Sequence, residues 1–347
     1  SVSEMSTNST RLVSSTTLNF KKEFGLHGID LLAGYEAEKN NTDFQRASGT
    51  DLPSSALHTV ATAGKRDANA YSWGNTMNSI LSRAEYNYDQ KYFASASFRR
   101  DASSKLGPDV RWGDFWSVSG AWKIDRESFM NSIDYISNLR LRASYGVNGT
   151  LPNDNFAWRP LAGYGNQYMT QAGGGISSIA DRNLRWENNY VTNVALEFGL
   201  LAQRLYGTIE YFNRDSRDLL QNVPISRVTG FSSTQRNVGA MNNRGWELSL
   251  GADIVRKKQL RWSVNANASF IQSEITKLYK NAGEDKGGDI IWTDPTGGDA
   301  RAQYIYREGE STYSFYGYEW AGVDPVNGKN RWYVNNPNDK EAGDFQL

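Results

Sequence analysis

Charged side chains at every second position are the residues of this sequence best suited to chemistry. Alternate spacing places such charges on one face of a β-strand, where they could line a path for a polar ligand or pair with one another. Ion pairs along a polar wall are the commoner use, and the sequence leaves both interpretations open. The residues are Arg83, Glu85, Arg140, Arg142, Glu197 and Glu247.

Three aromatic residues, Trp158, Tyr164 and Tyr168, form a second candidate group within a long polar segment. Flat aromatic rings stack on sugars and also hold peptides, so these residues could bind a ligand of either class. The competing interpretation is packing of one loop on another, or contact with a partner protein. We keep the three residues as candidate ligand-binding residues.

Several kinds of site are not expected from the composition. The sequence contains no Cys and only two His, His27 and His58, which argues against thiolate chemistry and a multi-histidine zinc site. No nucleophile–base pair and no carboxylate pair at a defined spacing is visible. The 38 basic and 38 acidic residues cancel, which gives no global attraction for nucleic acid. We therefore expect no enzyme, no cofactor, no metal site and no nucleic-acid partner.

Four alternating runs between residues 184 and 278 must position several of these charges. In residues 190–200 the large apolar side chains fall mainly on even positions, whereas Glu197 is odd. In residues 246–254 the same parity separates Leu248 from Glu247. A period of two indicates strands with one apolar and one polar face. Runs of roughly ten residues match tilted membrane-spanning strands.

The alternation recurs along the chain, and the connections between runs alternate in length. Turns at residues 25, 89–91, 201–203 and 256–259 are short, whereas segments 39–78, 148–185 and 215–244 are long and polar. The short connections therefore share one end of the strands, as periplasmic turns do in transmembrane barrels with long extracellular loops. A content of 13% aromatic residues with a mean hydropathy of −0.63 agrees with strands that are apolar on one face only.

The predicted fold class is all-β, an antiparallel transmembrane β-barrel, but the strands do not close it. The pattern gives about ten or eleven strands. An open sheet in hydrocarbon would leave two unpaired edges, which is not tolerated. We therefore expect residues 1–347 to be part of one larger barrel domain, with the plug domain and the last strands elsewhere in a longer polypeptide.

Several segments resemble those of SusC-like TonB-dependent outer-membrane transporters of Bacteroidetes-type bacteria. They are LRLRASYGVNG from Leu139, NLRWE from Asn183, DLL from Asp218, GFSS from Gly230, NVG from Asn237 and SFYGYEWAGVDP from Ser314. The resemblance runs from about Ser79 to Gly328, which is most of the chain. It departs from the usual pattern at Trp246, where a smaller aliphatic residue is common, and at Asn148, where Thr is common.

This resemblance implies a barrel of about 22 strands with a plugged lumen, of which the chain would supply about half. It implies import of large nutrients, oligosaccharides or peptides, with energy from the TonB complex acting through the plug. A SusD-like surface lipoprotein would form a lid, and outer-membrane lipid would surround the barrel. Arg140, Arg142, Glu197 and Glu247 would then face the lumen.

Two other functions remain open on the residues alone. A passive porin-type barrel would show the same alternation without any energy coupling. A soluble surface protein that binds carbohydrate would share the aromatic, polar composition.

Overall fold

Ten strands form one antiparallel sheet in the computed structural model, which describes residues 1–169, 171–280, 287–293, 303–317, 320–333 and 345–346. The sheet belongs mainly to the first of two compact units, Ser1–Gln272. Each strand pairs with the next one along the chain, except that β6 pairs directly with β9. The strands of this unit are β1 (Val2–Phe24), β2 (His27–Thr50), β3 (Lys65–Tyr88), β4 (Tyr92–Ser103), β5 (Trp112–Lys123), β6 (Ile136–Thr150), β7 (Leu161–Tyr168), β8 (Gln171–Ser178), β9 (Glu187–Leu200), β10 (Leu205–Pro224), β11 (Ser233–Lys257) and β12 (Leu260–Lys277).

The second unit, Ser273–Leu347, contains short strands in two small antiparallel sheets. They are β13 (Ile290–Thr293), β14 (Gln303–Tyr306) and β15 (Phe315–Tyr316) in one sheet, and β16 (Trp320–Val323), β17 (Asn330–Tyr333) and β18 (Phe345–Gln346) in the other. The segment SFYGYEWAGVDP, which carries part of the family resemblance, therefore includes β15 and β16. Its residues 318–319 lie outside the described residues.

The register of the sheet separates an apolar face from a polar face, as the sequence predicts. Directly opposite residues of antiparallel strands lie on the same face. One row across four strands is apolar, namely Leu141, Leu196, Ile209 and Leu248. The adjacent rows are polar and consist of Arg140, Glu197, Thr208 and Ser249, and of Arg142, Ala195, Glu210 and Glu247. We call the side of the sheet that carries Arg142 the polar face.

Short turns join the strands at one end because their residues adopt left-handed backbone conformations. Asp89 and Gln90 both have a φ of 50°, as a two-residue turn between twisted strands requires. Leu201, Ala202 and Gln203 have φ values of 53°, 56° and 63°. One connection at this end, between β5 and β6, contains 3₁₀ turns at Ile124–Arg126 and Ser128–Met130.

The predicted long loops are shorter than expected, because the strands continue beyond their alternating parts. Segment 39–78 is not an irregular loop: β2 extends to Thr50 and β3 begins at Lys65, so the connection is residues 51–64. Segment 215–244 is likewise mostly strand, and residues 225–232 join β10 to β11. Segment 148–185 contains the β7–β8 hairpin. These parts have water on both faces, so nothing in them selects an apolar row.

The longest strands therefore exceed what a bilayer needs. β1, β2, β3 and β11 contain 23, 24, 24 and 25 residues, whereas about 9–11 residues cross the hydrocarbon. The extra residues lie at the end of the sheet where the long connections join the strands. Within the described residues, the hydrophobic cluster also lies at this end, where Leu106 and Trp186 pack on Phe115.

Large apolar side chains remain exposed along the apolar face. The members of this set include Leu18, Phe20, Trp116, Val118, Val194, Ile209, Trp246, Leu250 and Trp262. Near the short turns a row of rings runs from Phe24 through His27, Tyr88 and Tyr92 to Trp122, with neighbouring centroids 5.1–6.4 Å apart. Such rows are typical of the aromatic girdles at membrane interfaces. Across the described residues, no helix has the length and apolar character required to cross a bilayer.

We predict that the two faces can be distinguished by labelling, since Leu248 and Glu247 are neighbours on opposite faces. In the full-length protein, Leu248→Cys should react with a lipid-soluble maleimide and Glu247→Cys with a water-soluble one. Leu248→Arg should lower the free energy of unfolding by about 2–4 kcal/mol if the residue lies near the bilayer midplane. The reverse labelling pattern would show that the faces are assigned wrongly.

Candidate functional site

Arg142 is the centre of an ion-pair cluster on the polar face. Its Nε donates to Glu197 Oε1 at 2.9 Å, and its Nη2 donates to Glu210 Oε2 at 2.6 Å. Arg140 lies 3.8 Å from the other oxygen of Glu197. Glu247 stands directly opposite Glu210 in the register. The structure thus brings together four of the six charged candidates, with Glu247 placed by the register alone. The other two, Arg83 and Glu85, form a separate ion pair at 3.3 Å.

Glu210 is a member of this cluster that the sequence did not single out. Its parity on β10 places it on the polar face, but its contact with Arg142 crosses β9 and depends on the register of three strands. The cluster contains three carboxylates and two guanidinium groups. Charge-assisted hydrogen bonds of this kind hold side chains in fixed positions, so the cluster stiffens the polar wall as well as charging it.

A second polar network extends beyond the ion pairs toward the long connections. Arg11 forms a bidentate pair with Glu38, with donor–acceptor distances of 3.0 and 2.7 Å. Asn40 donates to Glu38 and to Asn75 Oδ1, at 2.6 and 3.2 Å. Asn75 donates in turn to Asn155 Oδ1 at 3.1 Å. The network therefore ties the connection after β6 to the upper parts of β1, β2 and β3.

The three aromatic candidates occupy different environments. The Trp158 indole N–H donates to the Ser104 carbonyl oxygen at 3.1 Å, and the Arg159 guanidinium lies 5.8 Å from the indole centroid. These contacts favour loop packing for Trp158. Tyr164 lies in β7 and is 85% exposed. Tyr168 ends the same strand, and its side chain lies outside the described residues.

A cavity of about 810 Å³ lies beside the polar network. Its wall includes Tyr71 and Trp73, whose ring centroids are 5.3 Å apart with an interplanar angle of 27°. Phe44 on the adjacent strand lies 4.8 Å from Tyr71, centroid to centroid. Sequence reasoning missed these rings, because it assigned residues 39–78 to a loop. The i, i+2 spacing of Tyr71 and Trp73 was the available signal.

A hydrogen-bond network connects β9, β10 and β11 at the end of the sheet where the long connections lie. We call it the rim latch. It consists of Arg185, Glu187, Asp218 and Asn237. Arg185 donates to Asp218 Oδ1 at 2.6 Å, and Asn237 Nδ2 donates to the carbonyl oxygens of Arg185 and Asp218 at 2.9 and 2.8 Å. Asp218 has a φ of 57° at an irregularity in the β10–β11 register.

Burial raises the pKa of the Glu187 carboxyl, although the hydrogen bond from the Leu220 N–H opposes this shift. The latch residues come from the segments NLRWE, DLL and NVG, which carry the family resemblance. The hydrogen bonds between these segments connect β9, β10 and β11 to one another. Among the described residues, no group of three or more acidic or His side chains is placed to hold a metal ion.

Comparisons with known proteins agree with this architecture. Residues 3–347 match the family described as TonB dependent receptor-like, beta-barrel. The TonB-dependent receptor P39 of Formosa agariphila is 30% identical over 309 residues, which are 88% of this chain and 28% of that protein. The TonB-dependent receptor SusC of Bacteroides thetaiotaomicron is 30% identical over 314 residues, which are 87% of this chain and 31% of that protein.

Solved structures give the same result in three dimensions. The RagAB peptide transporter matches with a TM-score of 0.83 and 28% identity, over 97% of this chain and 36% of that chain. The RagAB importer in its open-open state matches with a TM-score of 0.85 and 27% identity. The chain therefore spans about a third of the length of these relatives.

We predict that removing the guanidinium of Arg142 destabilises the sheet. Arg142→Met leaves Glu197 and Glu210 without their closest cation, and should lower the free energy of unfolding by about 1–2 kcal/mol. Urea unfolding of the full-length barrel would measure this change. Adding Glu210→Gln should recover part of the loss.

The matched control is Arg217→Met, because the Arg217–Asp215 pair is also 2.6 Å long but more exposed. We expect it to cost less than about 1 kcal/mol. Equal losses for the two variants would contradict a special role of the Arg142 cluster.

We also predict a pH dependence of the rim latch. A carboxyl whose folded pKa is raised stabilises the fold below its unfolded pKa, and this stability is lost as the pH rises through the folded pKa. Protection of the Leu220 amide from hydrogen exchange, corrected for intrinsic rates, should therefore fall with rising pH. Glu187→Gln keeps the acceptor and should remove the dependence.

The mid-strand amide of Leu196 serves as an internal control and should not respond. Protection of Leu220 that increased with pH, or a dependence that persisted in Glu187→Gln, would contradict the assignment to Glu187.

Proposed function

This chain belongs to the family of TonB-dependent receptor-like β-barrels, and from that premise we propose that its parent protein imports large nutrients through a gated barrel. The nutrients are oligosaccharides or peptides. The import draws energy from the TonB complex and uses a SusD-like surface lipoprotein as a lid. The observation that carries the proposal is the ten-stranded sheet with one apolar and one charged face, which matches a peptide importer over 97% of this chain.

The resemblance to SusC-like proteins is confirmed by the identity with SusC over 87% of the chain. The chain lies in the bacterial outer membrane, as the proteins of this family do. Its all-β antiparallel fold and its strand parity are those of part of a transmembrane barrel. The named relatives are receptors and transporters, and our proposal assigns no catalytic step to this chain.

We place all of residues 1–347 within one barrel domain, whose remaining strands and plug come from the rest of the parent protein. The two edges of the ten-stranded sheet support this arrangement, since backbone groups at an unpaired edge have no partners in lipid. In this arrangement Arg140, Arg142, Glu197 and Glu247 face the lumen, because their face is opposite the apolar one.

The connections at the long-loop end support a lid. Several large apolar side chains there are largely exposed, which is costly in water and favours contact with another protein. They are Tyr164, Met169 and Ile176 of the β7–β8 hairpin and Val228 of the connection between β10 and β11. A sieve without a partner has no need of such a surface.

We predict that uptake by the intact parent protein stops when the proton gradient is collapsed. TonB-coupled import needs that gradient, whereas diffusion through a porin does not. The measurement is uptake of the growth substrate by cells with and without an uncoupler, and cells that lack TonB provide the matched control. Pull-down of the parent protein should also recover a lipoprotein. Uptake that continued at the same rate without the gradient would replace active import by the porin function.

A further inference from the structure

The apolar residues of β3 change faces where the strand extends beyond its alternating part. Between Ser79 and Tyr88 the apolar face carries Ile80 and Tyr86, at even positions. Farther out the rings of Tyr71 and Trp73 stand at odd positions and therefore on the polar face. No register shift separates the two parts of the strand. These rings serve no contact with lipid, so another contact must explain them.

Packing within the chain uses only part of the two rings. Tyr71 is 51% exposed and Trp73 is 38% exposed, although both line the cavity of about 810 Å³. That volume is within the range of about 300–1,000 Å³ found for ligand sites. The two rings are stacked on one another and nearly parallel, and Phe44 on β2 packs against Tyr71. The exposed parts of the stacked pair form an aromatic surface that lines the cavity.

The rest of the cavity lining mixes polar residues with apolar ones such as Phe156, Leu161 and Phe231, and it is nearly neutral. Among the described residues around it, Lys105 and Asp154 alone carry charge. The Lys105 ammonium already donates to the carbonyl oxygens of Pro152 and Asn153, at 3.1 and 3.0 Å. The other polar groups are carboxamides and hydroxyls, as in Asn75 and Ser178.

The wall also keeps an unused hydrogen-bonding group. Gln235 lines the cavity, and its Oε1 is buried without a partner among the described residues. A buried acceptor without a donor is unfavourable. A small rotation of this carboxamide would let a ligand hydroxyl supply the donor.

We propose that Tyr71 and Trp73 form a sugar-binding platform for a neutral oligosaccharide. Sugar rings present flat C–H faces to aromatic rings and hydroxyl groups to carboxamides, which is the combination this cavity offers. A sugar ring can stack on the exposed part of this aromatic pair. A peptide with several charged groups would find only two charged partners among the described residues of this cavity, Asp154 and the already bonded Lys105.

The inference rests on the proposed import function and selects one of its two substrate classes. Its test measures binding at equilibrium, without any proton gradient. Failure of the platform therefore leaves active import standing, and failure of gradient-dependent uptake leaves the binding result unaffected.

The experiment titrates full-length protein, purified together with any lipoprotein that accompanies it, in a calorimeter. The probes are neutral hexasaccharides of glucose, xylose and mannose, and a pool of synthetic decapeptides. A hexasaccharide should bind, and Trp73→Leu, which keeps an apolar side chain but removes the ring, should weaken it about tenfold. Trp73→Phe should retain most of the affinity.

Tyr35→Leu is the control, because Tyr35 is an exposed ring, like Tyr71 at 51%, but lies on the apolar face of β2. It should leave the affinity unchanged. If Trp73→Leu does not assemble, Gln235→Leu should weaken the hexasaccharide about threefold instead.

Four results would overturn the platform. They are binding of the peptides alone, no binding of any hexasaccharide up to millimolar concentration, a Trp73→Leu or Gln235→Leu protein that binds as tightly as wild type, and an equal loss in Tyr35→Leu.

Discussion

Backbone N–H and C=O groups find no water in hydrocarbon, so each must bond to a neighbouring strand. The ladder from β1 to β6 and on through β9 to β12 meets this requirement between its two edge strands and fixes the register there. Register in turn decides which side chains share a face, since a slip of one residue would exchange the two faces. The row from Leu141 to Leu248 and the cluster around Arg142 are therefore two results of one pairing pattern.

Charged side chains on the polar face pair with partners on neighbouring strands. Arg142 reaches carboxylates on both β9 and β10, and Arg11, Glu38, Asn40 and Asn75 pass hydrogen bonds from β1 to β3. Such side-chain bonds run across the strands, in the same direction as the backbone ladder. At Arg142 the wall is thus polar, with two guanidinium groups balancing two of the three carboxylates. A ligand at this wall would meet groups that are already positioned, which lowers the entropic cost of binding.

Strand parity could be predicted from the sequence wherever one face is apolar. The runs in β9 to β12, the turn at Asp89 and Gln90, and the shared face of Glu197 and Glu247 all follow from that alternation. The outer parts of β2, β3, β10 and β11 could not be found in this way, because water on both faces removes the alternation. For the same reason the sequence pattern assigned Tyr71 and Trp73 to a loop. The Arg142–Glu210 contact depends on the pairing register of β6, β9 and β10, which could not be read from the sequence alone.

The segments that carry the family resemblance form the rim latch. Asn237 donates to two carbonyl oxygens, that of Arg185 and that of the irregular Asp218, and Arg185 donates to the Asp218 carboxylate. Left-handed backbone at a non-glycine residue costs free energy and persists where its surroundings hold it. The latch supplies those surroundings. It therefore fixes where β10 leaves its regular register, and with it the direction of the connection that follows. The same strands carry the Arg142 cluster farther down, so one set of pairings supports both the polar wall and the rim above it.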